Sequence, residues 1–348
     1  MSDENKEVED DFEDGDLLFE HHRIVTDPGQ TGIRIDKFLM DRIPNTSRNK
    51  LQIAAKAGFI KVDSLPVKSN YKVKSNQVIT VELPYPVREI ELIPEDIPLD
   101  IRYEDDTCLV LNKQAGIVVH PGYGNYSGTL VNGLIFHFNQ LPENNQHGVS
   151  RPGLVHRLDK LTTGLMVIAK TEEALTDLSM QFYNRSTERR YNALVWGDLD
   201  EDGTVEGHLG RSLKNRKVMD VFPDEDYGKH AITHYKVLKR FGYVTLVECK
   251  LETGRTHQIR VHMKYIGHPL FGDPEYGGNK ILKGTSFTKY RQFVENCFKT
   301  CPRQALHART LGFTHPVSGE RLQFNSELPE DMLALLEKWE SYIAQRPL

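Results

Sequence analysis

The part of the sequence best suited to chemistry is residues 156–170, HRLDKLTTGLMVIAK. Asp159 follows Arg157 by two residues and precedes a Thr-Thr-Gly corner, after which the apolar run 165–169 predicts a buried strand. A carboxylate held by a cation and by backbone donors stays ionised, because such neighbours lower its pKa by roughly 1–3 units. That state suits a nucleophile or a general base. From the residues alone, a working carboxylate and a structural ion pair both remain open, and His156 is predicted to be a packed or hydrogen-bonded histidine.

A second candidate stretch is GRTHQIRVHM, residues 254–263, which follows a predicted strand and lies in a helix predicted over 255–266. A solvated basic helix would explain Arg255 and Lys264. It explains Arg260 less well, because Ile259 and Val261 flank it. His257 and His262 are five residues apart, which does not match the i, i+4 spacing of a helical zinc pair. We therefore predict no metal site here.

A third stretch, ERRYNALVWG, residues 188–197, predicts a strand in which Tyr191, Ala193 and Val195 share one face. A tyrosine that points from a sheet into a basic cleft can stack on a nucleic-acid base. The alternative is an ordinary core aromatic.

Cofactor motifs are missing from the sequence. Residues 122–128 read GxGxxxG without the acidic ribose ligand of a dinucleotide site, and no GxxxxGK[ST] occurs. The four cysteines include Cys297 and Cys301, four residues apart but without a second ligand pair, which predicts free thiols on a helix. We expect no cofactor and no metal. Because the N-terminus is acidic and polar, and no apolar run reaches the ~18–20 residues of a membrane span, we expect a cytoplasmic protein with no membrane partner.

Charge is unevenly distributed along the 348 residues. Residues 1–20 carry ten acids against one lysine, a net charge of −9, so that the remaining chain is positive although the whole is −5. An acidic block of this kind is typical of a disordered tail. Residues 33–84 hold ten Lys and Arg against four acids, a net charge of +6. This segment is a candidate phosphate-binding surface, with an incidentally lysine-rich face as the alternative.

These elements group into three regions. Residues 33–84 form a compact unit of two helices, separated by a break at 44–47, and strands at 59–62 and 78–83, followed by a proline-rich linker over 85–100. From residue 101 onwards we predict strands at 165–169, 189–197, 231–240, 243–252 and 306–315, helices at 128–138, 171–185 and 329–343, and a hairpin turn at 112–116. Strands outnumber helices without regular alternation, which favours an α+β fold with a mixed, mainly antiparallel sheet.

Three of these stretches together resemble the RluA/RluD family of RNA pseudouridine synthases, most closely the RluD-type enzymes of large-subunit ribosomal RNA. They are HRLDKLTTGLMVIAK, RRYNALVWG and LETGRTHQIRVHMKYIGHPLFGDPEYGG, and RQALHARTLGFTHPVSGE near the C-terminus fits the same family. Residues 33–84, with SRNKLQ and AGFIKVD, resemble the S4 RNA-binding module that precedes many catalytic domains of this family. The resemblance implies a pseudouridine synthase fold over 101–348.

The resemblance also implies roles for individual residues. Asp159 would be the essential carboxylate, Tyr191 the tyrosine that stacks on the target base, and Arg260 the arginine that pairs with the catalytic acid. Arg157 would fill the space left by the flipped nucleotide, while Ile259 and Leu306 would line the uracil pocket. In the S4-like module, phosphate contacts are expected from Arg42, Arg48, Lys50, Lys56 and Lys61.

The implied reaction is the isomerisation of specific uridines to pseudouridine, which needs no cofactor. The expected partner is ribosomal RNA, in particular 23S, or a pre-ribosomal particle, bound by a monomer. Two alternatives stay open at this point. The same chemistry could act on transfer RNA, or the chain could be a non-catalytic RNA-binding or ribosome-assembly protein.

Overall fold

The computed structural model describes residues 18–43, 46–83, 92–122, 124–138, 141–142, 151–215, 218–223 and 227–345. Nearly all of the predicted acidic tail, the break at Pro44 and Asn45, and residues 85–91 of the predicted linker lie outside these ranges. The chain divides into a small unit, residues 1–91 with 145–149, and a large unit, residues 92–144 with 150–348. Within the described ranges, no helix has both the length and the apolar character to cross a bilayer.

The described residues of the small unit form four strands and two helices: β1 (Phe19–Val25), α1 (Ile35–Met40), α2 (Arg48–Lys56), β2 (Ile60–Val62), β3 (Leu65–Pro66) and β4 (Val78–Leu83). The large unit contains β5 (Ile101–Glu104), β6 (Cys108–Lys113), α3 (Leu130–His137), β7 (Thr163–Ala169), α4 (Glu172–Tyr183), β8 (Glu188–Trp196), β9 (Gly203–Arg211), β10 (Met219–Phe222), β11 (Lys229–Arg240), β12 (Val244–Leu251), α5 (Gln258–Tyr265), α6 (Thr288–Thr300), β13 (Leu306–Thr314), β14 (Arg321–Asn325) and α7 (Glu330–Ala344).

The small unit packs two short helices against a sheet in the order β1-β4-β2-β3. Ile35, Phe38 and Leu39 lie on one stripe of α1 and are buried in the core of this unit. Ser47 caps α2 by accepting a hydrogen bond from the backbone N–H of Lys50 at 3.3 Å. Strand β1 pairs with β4 along its length. The sheet of this unit therefore includes residues 19–25, which precede the predicted 33–84 segment.

The large unit is built on one sheet in the order β10-β9-β11-β12-β8-β13-β7-β6-β5, with β14 paired to β13. Among the described strands, β13 and β7 run parallel and every other neighbouring pair is antiparallel. Helices are interspersed among the strands without regular alternation. The predicted α+β class with a mixed, mainly antiparallel sheet is confirmed.

Strand β7 is buried along its whole length, as the apolar run predicted. Leu165 and Val167 pack on one side with residues of α4, including Leu178. Met166 and Ile168 pack on the other side in the main core, which also contains Tyr191. Because both faces are covered, β7 is a rigid base from which the preceding loop, with Asp159, projects.

Two predicted elements differ from the structure. The hairpin at 112–116 is wrong, because β6 pairs with β5 and β7 while residues 117–119 form no strand. Instead, the carbonyls of Val118 and Val119 accept hydrogen bonds from the first N–H groups of α3, at 2.8 and 3.1 Å. The helix predicted from residue 255 begins at Gln258, because His257 has a left-handed backbone (φ 56°).

Gly164 is required where β7 starts its parallel pairing with β13. Its φ is +120°, and a Cβ added there would lie 2.3 Å from the carbonyl oxygen of Ala308. Gly116 has a similar φ of +90° but no atom within 4 Å of the same position. We expect Gly164→Ala to lower the free energy of unfolding by about 2–3 kcal/mol and Gly116→Ala by about 1 kcal/mol. Urea titrations measure both, and equal losses would contradict the steric argument.

Candidate active site

The loop that carries Asp159 is held by two buried cations. Lys113, at the end of β6, donates from Nζ to the carbonyls of Gln114, Ile117 and Lys160 at 2.8, 3.0 and 3.1 Å. Arg303, which forms a bidentate pair with Asp331 at 2.7 and 2.8 Å, donates from Nη1 to the carbonyl of Leu161 at 3.0 Å. The loop is thus fixed through the carbonyls of the two residues that follow Asp159, Lys160 and Leu161.

Lys113 is 2 % exposed and sequence reasoning missed it. Burial lowers the pKa of its ammonium group to about 7, an effect that the charge of Asp159 opposes. Lys113 stabilises the fold by donating hydrogen bonds to the carbonyls of Gln114 and Ile117 in one loop and of Lys160 in another.

We expect Lys113→Met to lower the free energy of unfolding by about 1–3 kcal/mol, because the carbonyls of Gln114 and Ile117 lose this donor and that of Lys160 keeps only the N–H of Gly116. We also expect a lower kcat, because the Asp159 loop loses one of its two anchors. Lys239→Met removes an exposed lysine that pairs with Glu340 and is the control. A denaturant titration and a steady-state assay test both effects, and a Lys113→Met protein indistinguishable from the control would contradict them.

Arg260 projects from α5 into a cluster of three carboxylates. Its Nη1 lies 3.1 Å from Oδ2 of Asp159, and its Nε and Nη2 pair with Asp273 at 2.7 and 2.9 Å. Nη2 also contacts Glu275. Arg260 is 4 % exposed and the Asp273 side chain is fully buried, whereas the Asp159 side chain keeps 22 % exposure. The pKa of Arg260 is raised above its usual range, because hydrogen bonds and charge from Asp273 outweigh burial. Arg260 is therefore a fixed cation beside an accessible carboxylate.

His257 closes this cluster on the side of α5. Its Nε2 lies 3.8 Å from Oδ1 of Asp159, and its Nδ1 lies 2.9 Å from the hydroxyl of Tyr276. The backbone N–H of Met219 donates to that hydroxyl at 3.0 Å, which leaves the phenolic proton free to be donated to Nδ1. The ring proton then lies on Nε2 and faces Asp159. Burial lowers the pKa of His257, which favours this neutral ring.

Tyr191 is 8 % exposed in the middle of β8, between Cys249 of β12 and Ala308 of β13. It belongs to the same core as Ile259 and Leu306, each 4 % exposed. Burial raises the pKa of its phenol, the charge of Arg189 opposes this rise, and the charge of Asp159 adds to it. The tyrosine hydroxyl therefore lies within the electrostatic reach of the candidate catalytic acid.

The two residues before Leu158 have different environments. Arg157 is exposed. His156 stacks on Phe182 with ring centroids 4.5 Å apart and accepts a hydrogen bond from the N–H of Val167 at 3.0 Å. Burial lowers the pKa of His156 to about 3, so it is neutral. The prediction of a packed, hydrogen-bonded histidine is confirmed.

The basic residues predicted in the small unit differ in how free they are. Lys50 and Lys56 are exposed, and Arg42 lies over the ring of Phe38 at 3.9 Å. Arg48 donates to the buried carboxylate of Asp36 at 3.0 Å, and Lys61 pairs with Glu82 at 2.6 Å. Of the five, Lys61 is the least free to meet an external anion.

One group of possible metal ligands lies away from this site: Asp105, Cys108 and His315. Asp105 already accepts hydrogen bonds from the hydroxyl of Tyr103, two backbone N–H groups and Nε2 of His315. Burial raises the pKa of the Cys108 thiol to about 12, so the thiol is protonated in this environment. The group fits a structural hydrogen-bond network. The four cysteines are free and buried. The prediction of free thiols at Cys297 and Cys301 is confirmed, although α6 ends at Thr300 and Cys301 follows it.

Comparison with known proteins gives the class of this chain. The family model described as "RNA pseudouridylate synthase" matches residues 107–265, which include Asp159, Tyr191 and Arg260. An "Uncharacterized RNA pseudouridine synthase" of Chlorobaculum parvum is 48% identical over 311 residues, which are 89% of this chain and 94% of that protein. The chain belongs to the RNA pseudouridine synthase family, and the resemblance seen in its sequence motifs is confirmed.

Relatives with a more specific name extend this result. The protein named "Ribosomal large subunit pseudouridine synthase D" of Zymomonas mobilis is 43% identical over 314 residues, covering 88% of this chain and 93% of its own. Its namesake in Pseudomonas aeruginosa is 43% identical over 305 residues, covering 88% and 91%. The solved structure "Human RNA Pseudouridylate Synthase Domain Containing 4" shares the fold, with a TM-score of 0.51 at 24% identity over 69% of this chain and 92% of that one.

Sequence reasoning missed several residues of this cluster: Lys113, His257 as a neighbour of the acid, Asp273, Glu275 and Tyr276. The last three lie in GDPEYGG, part of the stretch that carried the resemblance. A signal was present, since a buried arginine in α5 requires acidic partners. Which of the 49 acids of the chain would supply them was decided only by the folding of the loop after Leu270 onto α5.

Proposed function

We propose that this chain converts specific uridines of large-subunit ribosomal RNA to pseudouridine, with Asp159 as the catalytic carboxylate. The observation that carries the proposal is the position of Asp159. It is an accessible acid on a loop fixed by Lys113 and Arg303, and it is paired with the buried Arg260 at 3.1 Å. A binding protein has no need of an accessible acid held in this way.

The reaction breaks an N-glycosidic bond, turns the uracil and rejoins it to the ribose through carbon, so it is an isomerisation. One carboxylate can assist cleavage or abstract a proton, and Arg260 keeps it oriented at the pocket. The target nucleotide must leave its stack, at a cost of a few kcal/mol. In this proposal Tyr191 stacks on the extruded uracil, Ile259 and Leu306 line its pocket, and the exposed Arg157 fills the space it leaves.

Support for the substrate comes from the relatives named ribosomal large subunit pseudouridine synthase D. We infer that the partner is large-subunit ribosomal RNA, 23S in bacteria, or a pre-ribosomal particle, met in the cytoplasm by a monomer. The small unit, with residues 33–84 as its predicted S4-like core, would hold RNA through phosphate contacts that add affinity without reading sequence.

The test is pseudouridine mapping of ribosomal and transfer RNA from a strain that lacks this gene, complemented with the parent gene or with Asp159→Asn. We expect specific 23S positions to lose pseudouridine and only the parent gene to restore them. If only transfer RNA loses pseudouridine, the chain is still a pseudouridine synthase, but its substrate is transfer RNA. Restoration by Asp159→Asn would contradict the catalytic role and favour a non-catalytic function in ribosome assembly.

The small unit gives a separate prediction about RNA affinity. Each lysine that neutralises a phosphate contributes about 0.7–0.9 to the slope of log K against log salt. We expect Lys50→Ala and Lys56→Ala each to reduce that slope by nearly this amount. Lys61→Ala should change it little, because Lys61 is already paired with Glu82. Filter binding to ribosomal RNA from about 50 to 200 mM salt measures the three slopes. Equal slopes for all three variants and the parent would contradict a phosphate-binding role.

A further inference from the structure

Arg189 is a buried cation without an acidic partner. It is 7 % exposed, and its Nε is buried with no hydrogen-bond partner. Within the described ranges, no residue accepts a hydrogen bond from its guanidinium and no carboxylate pairs with it. The guanidinium of Arg189 makes a cation–π contact with Phe182, with Cζ 5.4 Å from the ring centroid. Burial lowers the pKa of Arg189, as expected for a cation removed from water without compensation.

The position of Arg189 links it to the active site. It lies two residues before Tyr191 on β8, so both side chains are on the same face of the strand. Its Nη1 packs against Gly254, where a Cβ would lie only 2.8 Å away, and Gly254 begins the segment that leads to His257 and Arg260. Its charge acts on the phenol of Tyr191, and so does that of Asp159. Arg189 therefore lies between β8, α4 and the 254–257 segment, on the face of β8 that carries Tyr191.

The neighbouring arginine shows what a structural role looks like on the same strand. Arg190 points to the opposite face and donates to Glu188 at 2.7 Å and to Glu248 at 2.8 Å. Burying an arginine without such partners costs free energy that folding alone does not recover. An arginine kept in this state beside a pocket for nucleic acid is suited to an anion that arrives with the substrate, because guanidinium pairs with phosphate through charged hydrogen bonds.

We propose that Arg189 binds a backbone phosphate of the RNA segment that carries the target uridine. The proposal rests on the proposed function and adds to it a substrate-binding residue outside the predicted set. When the nucleotide is extruded, its flanking phosphodiester turns toward the pocket, and the guanidinium of Arg189 receives it. Arg189 thus contributes to holding the flipped state, whereas Asp159 performs the chemistry.

The experiment uses a synthetic RNA stem-loop that spans the uridine identified by mapping. A neutral methylphosphonate replaces one phosphate at a time on either side of the target. With the parent enzyme we expect one replacement to lower kcat/KM by about 10–100-fold, the value of a charged hydrogen bond. We expect Arg189→Met to lose a similar factor on unmodified RNA and to be insensitive to that same replacement. Arg189→Lys should retain part of the sensitivity, and Arg190→Met, the matched control, all of it.

Several outcomes would overturn the proposal. One is a parent enzyme that is active on unmodified RNA but indifferent to every single replacement near the uridine. Another is an Arg189→Met enzyme that still shows the full penalty, which would reduce Arg189 to a packing role. If Arg189→Met does not fold, the parent and Arg189→Lys still test the proposal. Arg189→Lys must then show a smaller loss of kcat/KM than the parent when that phosphate is replaced, and the same loss as the parent at every other phosphate. A parent that forms no pseudouridine in any ribosomal RNA contradicts the proposed function itself.

Discussion

Asp159→Asn is expected to lower pseudouridine formation by at least about 10³-fold while leaving the protein folded. Asparagine keeps the shape of the side chain and can still accept a hydrogen bond from Nη1 of Arg260, but it loses the charge that attacks or abstracts a proton. Arg260 stays neutralised by Asp273 and Glu275, so we expect a change of less than about 1 kcal/mol in the free energy of unfolding. Tritium release from RNA labelled at C5 of uridine measures the activity.

The matched control for this variant is Asp198→Asn. Asp198 is also an aspartate paired with an arginine, Arg240 at 2.7 Å, but on an exposed surface. We expect Asp198→Asn to release tritium at the parent rate. Filter binding should give the same RNA affinity for both variants within about threefold, because neither residue is assigned a phosphate contact. Equal tritium release from Asp159→Asn and the parent would remove the basis of the proposed mechanism.

Arg260→Met is expected to have the largest effect on stability, a loss of about 3–5 kcal/mol in the free energy of unfolding, together with loss of activity. Three carboxylates share this one guanidinium, and Asp273 among them has no exposure to solvent. Without the arginine, a buried negative charge is left unpaired and the acids repel one another. Arg260→Lys should recover only part of the loss, because a single ammonium cannot replace the planar, multidentate guanidinium.

A surface pair and a double variant make this prediction sharper. Arg240 forms a bidentate pair with Asp198 at 2.7 Å for both contacts, but both side chains are exposed, so Arg240→Met should cost less than about 1 kcal/mol. Adding Asp273→Asn to Arg260→Met removes the unpaired charge and should restore at least about 1 kcal/mol. Denaturant titrations at one pH measure the free energy of unfolding of Arg260→Met, Arg260→Lys, Arg240→Met and the double variant. An Arg260→Met protein as stable as Arg240→Met would show that the buried cluster does not hold the fold together.

These two variants separate the roles of the two halves of the ion pair. Asp159 keeps 22 % of its side chain exposed and its loss is expected to affect the reaction, whereas Arg260 keeps 4 % and its loss is expected to affect both the reaction and the fold. The difference follows from burial, since removing Arg260 leaves the buried charge of Asp273 without a partner or water. Lys113 and Arg303 resemble Arg260 in supporting the fold around Asp159. They act on Asp159 only by fixing the backbone of its loop.

From the sequence by itself, the interiors of several elements and three candidate site residues could be predicted. The apolar run of β7 with both faces buried, the mostly buried strands β8 and β12, and the terminal helix follow from the local pattern of apolar residues. Asp159, Tyr191 and Arg260 were identified from motifs that resemble one family. The interior of an element is predicted well because each residue there repeats the pattern of its neighbours.

Only the tertiary structure decided which distant residues form ion pairs and hydrogen bonds at this site. Asp273 and Glu275 bind Arg260 from a loop that shares no pattern with α5, and Lys113 reaches the carbonyl of Lys160 across 47 positions of sequence. The hairpin at 112–116 was wrongly predicted for the same reason. The carbonyls of residues 118 and 119 accept hydrogen bonds from a helix and not from a strand. Hydrogen bonds and ion pairs between distant segments depend on how the chain is packed, and local periodicity carries no information about them.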